Sequence, residues 1–279
     1  MSPKRTGLAA AFLATIAGWP GAALGTPVNW QLNFQPAASP VMEKIEDFHN
    51  LLLIIIVVIS AFVLALLLWI TVRYNQRANP TPSKVHHNTV LEVVWTVVPV
   101  IILVLIAIPS FRLLYFESDI PKPDVFIRAI GHQWNWSYAF PKDGGFEFTS
   151  NGLTTPESDD AAIKAHEPRL LGVDNPIEVP LNKVVEIETT GADVIHSWAL
   201  PQMGVKMDAI PGRLNHTWFK ATKLGTFYGQ CSELCGVRHA FMPIEVKVVS
   251  EQDYQAWLAA AKKKYASIDS DGATRLAAK

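Results

Sequence analysis

The chain has 279 residues, a net charge of −1 and 49% apolar residues. That is enough for one or two domains with a real core. A balance so near neutral argues against a nucleic-acid binder, which would carry a basic face. Both cysteines, Cys231 and Cys235, fall in one short stretch, a spacing that suits either a disulfide or a pair of thiolate metal ligands.

Residues 1–25 read as a secretory signal. Lys4 and Arg5 precede a short apolar run over 8–19, and Ala23-Leu24-Gly25 offers small residues for cleavage. The run is too short to cross a bilayer, which takes about 20 residues. An amphipathic anchor is the alternative, but no charged face alternates with the apolar one.

Residues 26–116 are expected to hold a leading segment and a transmembrane hairpin, with helices over about 48–72 and 91–116. The run 51–70 contains no charge, and Trp69 stands where an interfacial aromatic belongs. The second span, 93–111, lies between Glu92 and Arg112 and contains Pro99 and Pro109; a membrane helix tolerates prolines when its surroundings satisfy the freed carbonyls. The joining loop carries Arg73, Arg77 and Lys84 and no acid before Glu92. Positive-inside bias therefore puts the loop in the cytoplasm, and both mature termini outside. Glu92 at a span's edge is either a solvated headgroup-level carboxylate or the mouth of a proton path.

From residue 117 to 250 the pattern becomes short alternating runs: 125–127, 177–179, 184–189, 215–219, 225–228 and 244–249. Turn residues such as Pro141 to Gly145 separate them. Many short strands with turn signals predict a β-sandwich or barrel. The fold class is thus an α+β membrane protein, a two-helix hairpin followed by a β-domain. Residues 251–279 make a helix, with Tyr254, Trp257 and Leu258 on one face, and a tail. The β-domain has a modest excess of acids, a solvated surface unless a basic partner meets it.

The stretch Gly229 to Pro243 carries the chemistry. It lies between two predicted strands and reads C-x3-C-x3-H-x2-M over Cys231, Cys235, His239 and Met242. Thiolate, imidazole and thioether together suit copper. A single copper site needs one cysteine and a second histidine, and His196, after the predicted strand 184–189, is the leading candidate. The extra cysteine is explained if two thiolates bridge two coppers, with Met242 and a backbone carbonyl such as that of Glu233 as weak outer ligands. A Cys231–Cys235 disulfide is chemically allowed outside the cell, but His239 and Met242 at ligand spacing oppose it. Structural zinc rarely uses methionine.

At this point the chain resembles subunit II of the haem-copper cytochrome c oxidases, over nearly all of its length after the signal. The resemblance rests on Gly131-His132-Gln133-Trp134-Asn135-Trp136, Asp193 to Trp198, Met207 to Arg213 and Gly229 to Pro243. It implies a cupredoxin-like β-domain with a binuclear copper centre, CuA, held by His196, Cys231, the Glu233 carbonyl, Cys235, His239 and Met242. It also implies a magnesium or manganese ion shared with subunit I through the Glu233 carboxylate. Trp134 matches the residue through which cytochrome c delivers electrons, Asp193 one of the docking acids, and Glu92 the entrance of a proton channel. The implied partners are subunit I, the other oxidase subunits, cytochrome c and membrane lipid, in a bacterial inner membrane with the copper domain in the periplasm. Asn135 departs from the tyrosine usual there, which bears on local packing. Trp134, Trp136 and Tyr138 also fit a packed strand face, two of them as core. His86, His87, His166 and His216 have no partner at ligand spacing and read as structural or solvated. The loop 156–169 has no assigned role.

Two other functions compete. A quinol oxidase subunit of similar shape lacks the copper ligands, which are all present here. A membrane-tethered copper carrier needs an exchangeable, exposed site, whereas six ligands from two loops look permanent.

Overall fold

The computed structural model describes residues 25–265. The expected signal peptide apart from Gly25, both termini and the tail after Tyr265 lie outside the described residues.

Two long helices come first. In α1 (Pro40–Arg73) the Ser39 hydroxyl accepts a hydrogen bond from the Met42 amide and Pro40 occupies the first turn, where its missing N–H costs nothing. The helix begins ahead of the expected position because this end is held by protein. Val41 and Met42 are buried, and Ser39 Oγ also donates to the Met203 carbonyl at 2.7 Å. The second helix, α2 (Thr89–Ser118), is capped by the Asn88 side chain and runs through Pro99 and Pro109. No residue of α2 is buried, and Ile54, Leu64, Leu103 and Leu105 are all more than half exposed. In water so large an apolar surface is unfavourable. In hydrocarbon it is the stable arrangement, because each helix satisfies its own backbone. Both helices are long and apolar enough to cross a membrane.

The β-domain follows. Its strands are β1 (Val125–His132), β2 (Asn135–Phe140), β3 (Phe146–Ser150), β4 (Ile177–Pro180), β5 (Val184–Gly191), β6 (His196–Leu200), β7 (Val205–Ala209), β8 (Asn215–Lys220), β9 (Gly225–Gln230) and β10 (Pro243–Val249). A short helix α3 (Asp160–Ala165) precedes β4, and α4 (Glu251–Tyr265) closes the described chain. One sheet has the order β3-β2-β1-β5-β8, a second β4-β10-β9, and β6 and β7 form a ribbon. The pairs β1/β5 and β4/β10 are parallel and the rest antiparallel. This is a cupredoxin-like sandwich.

The inner faces meet around Trp136, Tyr138, Phe140, Phe146, Trp198, Phe219 and Phe227, all but sealed from solvent. The six expected strands are present as β1, β4, β5, β8, β9 and β10; β2, which carries Trp136 and Tyr138 of the aromatic stripe, and β3, β6 and β7 are additions. β6 is buried at every position, so it has no alternation to read; β3 and β7 alternate over only five residues each. Helix α4 buries Tyr254, Leu258 and Ala261 and sets Trp257 edge-on to Phe140, centroids 5.5 Å apart.

The loop 156–169 and the turn that follows it, up to Val173, strap over β9 and β10. Tyr228 Oη donates to Glu167 Oε2 at 2.6 Å, and the Val173 amide donates to the buried Glu245 carboxylate at 3.0 Å. Burial pushes the Glu245 carboxyl up, against the pull of that hydrogen bond and of Lys247. Arg238 in the Cys/His loop lies 3.6 Å from Glu157, tying the strap to the candidate site.

Candidate metal centre

Two segments far apart in sequence converge at one edge of the sandwich. His196 opens β6, and the loop from Cys231 to Met242 joins β9 to β10. The Ser232 amide donates to the Ser197 carbonyl at 3.0 Å and holds them together. Close approach depends on glycine. A Cβ on Gly131 would come within 2.7 Å of the His196 ring, and one on Gly229 would collide with the Ala199 carbonyl.

The sulfurs of Cys231 and Cys235 lie 3.8 Å apart and both cysteines are free. A disulfide needs a separation near 2.05 Å. A gap of 3.8 Å is instead less than twice a metal–sulfur bond of about 2.3 Å, so one ion can touch both sulfurs. Each sulfur has its own imidazole: Cys231 Sγ is 3.9 Å from His196 Nδ1, and Cys235 Sγ is 3.5 Å from His239 Nδ1. The Glu233 carbonyl lies 3.3 Å from Cys231 Sγ, and Met242 Sδ lies 3.5 Å from Cys235 Sγ. His196, Cys231 and Cys235 are buried and their donor atoms lie within 4.8 Å of one another, as in a metal-binding group. The sequence-predicted ligands are therefore brought together in a nearly symmetric arrangement, one His and one weak donor for each sulfur.

The electrostatics favour thiolate at Cys231. Burial pushes the Cys231 thiol up, but hydrogen bonds from His196 and from the backbone near Glu233 and Ser197 outweigh it and bring it down to about 7. Cys235 is pushed up to about 12, by burial and by the negative charge forming on Cys231. Two thiols this close resist losing both protons unless a cation shares their charge, and coordination to a metal deprotonates a thiol outright. The donor set thus fits a soft metal such as copper.

Asp193 is built into the site. Its carboxylate accepts from His196 Nε2 at 2.8 Å, from the Gln133 amide at 2.7 Å and from the Val194 amide at 2.6 Å. These bonds outweigh the effect of burial and lower its pKa. They also turn Nδ1 of His196 toward the sulfurs, the usual task of a carboxylate behind a ligating imidazole.

Trp134 sits outside the strands, partly buried, with its indole N–H donating to the Cys235 carbonyl at 3.1 Å. Gln133 donates to the same oxygen at 2.9 Å. Gly236, at φ 119°, makes room for the ring, since a Cβ there would approach Trp134 to 2.9 Å. Trp136 and Tyr138 are the two core members of the aromatic stripe. Trp136 Nε1 reaches the Met242 carbonyl at 3.3 Å, and its ring lies edge-on to His196.

Sequence reasoning missed two histidines. His132, beside Trp134, has a buried Nε2 with no hydrogen-bond partner, and burial lowers its pKa. His87 Nδ1 lies 2.7 Å from Glu92 Oε1. Both sit next to motifs already singled out, and that adjacency was the available signal. Glu92 lies in the first turn of α2, about 40 Å along the helix from its other end at 1.5 Å per residue. It stands far from the sulfur and imidazole donors.

Two family descriptions cover the chain. "Cytochrome C oxidase subunit II, transmembrane domain" matches residues 27–113, and the periplasmic domain of the same subunit matches residues 125–249. The chain belongs to the cytochrome c oxidase subunit II family. A protein of Rickettsia bellii named "Probable cytochrome c oxidase subunit 2" is 47% identical over 237 residues, covering 85% of this chain and 86% of the relative. The cytochrome c oxidase subunit 2 of Cereibacter sphaeroides is 43% identical over 252 residues, covering 86% and 83% respectively. A crystal structure of the periplasmic domain of subunit II of cytochrome oxidase from Bradyrhizobium japonicum is 56% identical, with a TM-score of 0.48, and covers 53% of this chain and 99% of that one. Membership of the subunit II family makes this chain part of an oxidoreductase, cytochrome c oxidase, with a role in electron transfer and a copper centre. It also makes the chain a membrane protein with a periplasmic domain.

Proposed function

We propose that His196, Cys231, the Glu233 carbonyl, Cys235, His239 and Met242 would together hold a two-copper centre shared between the two thiolates, which would supply the one-electron couple for passing electrons from cytochrome c to the haem sites of subunit I. The observation that carries the reading is the pair of free sulfurs 3.8 Å apart, each with its own histidine Nδ1 within 3.9 Å. Copper supplies the reversible one-electron couple. The chain's own residues do the rest. Burial of His196, both cysteines and Met242 keeps water out, and the rigid strands that carry them limit movement on reduction. Asp193 holds His196 in one orientation. Trp134 offers a partly exposed π-system whose N–H is bonded to the carbonyl of a ligand cysteine, a short route inward for an electron from docked cytochrome c.

The remaining assignments follow the same resemblance. The Glu233 side chain is exposed and is assigned to a magnesium or manganese ion shared with subunit I. Glu92, paired with His87, is assigned to the mouth of a proton path into subunit I. Asp193 takes part in donor docking through the third of its side chain that remains exposed. The location is a bacterial inner membrane, with Arg73, Arg77 and Lys84 on the cytoplasmic side and lipid around the hairpin. A quinol oxidase subunit would not keep the copper donors, and a copper carrier would not bury them.

The test is metal analysis and electron spin resonance of the full chain purified in detergent and loaded with copper. About two coppers per chain and one unpaired electron shared between them are expected for a thiolate-bridged pair. One copper, or the four-line pattern of a localised electron, overturns the binuclear reading.

A further inference from the structure

The outer end of the hairpin contains a groove that the electron-transfer role does not use. It lies between α1 and α2 and has a volume of about 260 Å³. Lys44, Asp47 and Arg112 line its end toward the β-domain, and Phe48, Leu51 and Pro109 line its end toward the spans. Lys44 to Leu51 covers about 10 Å of helix, comparable with the headgroup layer that separates water from hydrocarbon. The groove thus changes from charged to apolar over the depth at which a lipid does the same.

Its charges are unspent. None of the ion pairs among the described residues involves Lys44, Asp47 or Arg112. The Lys44 ammonium lies 4.6 Å above the Phe116 ring, a contact that orients the side chain along α2 without neutralising it. Two cations and one acid leave a net positive charge. Arg112 brings a guanidinium, whose planar fork suits a phosphate oxygen pair. Pro109, one turn before Arg112, cannot donate a backbone hydrogen bond, which loosens the helix beside the groove.

We infer that this groove binds the phosphate of an outer-leaflet phospholipid, with Arg112 and Lys44 on the phosphate and Phe48 and Leu51 against the start of the acyl chains. The inference rests on the membrane reading of the hairpin and is independent of the copper assignment. Asp47, three residues after Lys44 on α1, favours a headgroup that also carries an ammonium or hydroxyl donor. A guanidinium and an ammonium beside an apolar wall suit a lipid phosphate and the start of its chains.

Native mass spectrometry of the intact oxidase after exhaustive detergent washing tests the site. The wild-type complex is expected to retain about one more phospholipid per chain than the Lys44→Gln/Arg112→Gln complex, with the copper spectrum equal in both. Equal lipid retention overturns the inference. Inorganic phosphate added alone distinguishes the source of the phosphate: displacement of the retained lipid by it would mark a free-anion site and overturn the lipid assignment. If the double variant fails to assemble, wild-type complex reconstituted with a phospholipid bearing a photoreactive headgroup decides. Cross-links to the peptides containing Lys44 or Arg112 support the site. Cross-links elsewhere only, or a disulfide from Arg112→Cys to another subunit, overturn it.

Discussion

The β-domain and the hairpin solve the burial problem in opposite ways. The domain seals Trp136, Trp198, Phe140 and Phe219 inside two sheets, so its stability comes from its own sequence. The hairpin buries nothing along α2 and directs its apolar side chains outward, so its stability has to come from its surroundings. One region is a rigid mount for a redox centre and the other an attachment surface. The junction is small but specific: Ser39 caps α1 while bonding Met203, and Trp218 Nε1 donates to the Glu117 carbonyl at the end of α2.

Substitutions can break this contrast. Trp136→Ala removes a fully buried ring and is expected to cost the β-domain about 3–5 kcal/mol, read as a lower denaturation midpoint. Leu64→Ala on the outward face of α1 is expected to leave that midpoint unchanged, and an equal loss would show that the two regions fold as one unit. Asp193→Ala is expected to lower copper affinity about 10–100-fold, as for other carboxylates behind ligating imidazoles, measured by chelator competition. Unchanged affinity would leave Asp193 with donor docking alone.

Glu92→Ala probes the hairpin's share of the chemistry. Turnover is expected to fall by about tenfold or more, toward the usual effect of a lost proton-transfer group, with the copper spectrum intact. Normal turnover would return Glu92 to the role of an interfacial carboxylate. The smallest effect concerns Glu245, whose carboxyl is raised by burial. Its folded pKa lies above its unfolded value, so its contribution is full at lower pH and is lost as pH rises from the ordinary carboxylate range through the raised value. Glu245→Gln keeps an acceptor for the Val173 amide and is expected to flatten that dependence, measured by thermal unfolding across pH. A slope equal to that of the wild type would place the titration elsewhere.

The legibility of the sequence followed the local physics. Charge-free runs identified the spans, because hydrocarbon imposes the same demand on every residue. The strands at 184–189 and 244–249 were legible by alternation, but β6 was not, since burial on both faces erases the period of two. The loop 156–169 was opaque for another reason. Its anchor, Glu167 to Tyr228, and the contact of Val173 just beyond it with Glu245 join residues far apart in sequence. His87 and Glu92 are five residues apart, outside the spacing used to look for partners, and meet only because the chain turns into α2 between them.

By itself the sequence determined which side chains offer soft donor atoms and on which side of the membrane they stand, because donor chemistry and loop charge are properties of residues in order. Only the tertiary structure decided that Cys231 and Cys235 stay apart at 3.8 Å, and that the Asp193 carboxylate bonds the His196 ring. It also decided that the Trp134 indole bonds to the Cys235 carbonyl. Those facts depend on β1, β6 and the β9–β10 loop meeting at one edge, and a meeting of distant segments is set by packing.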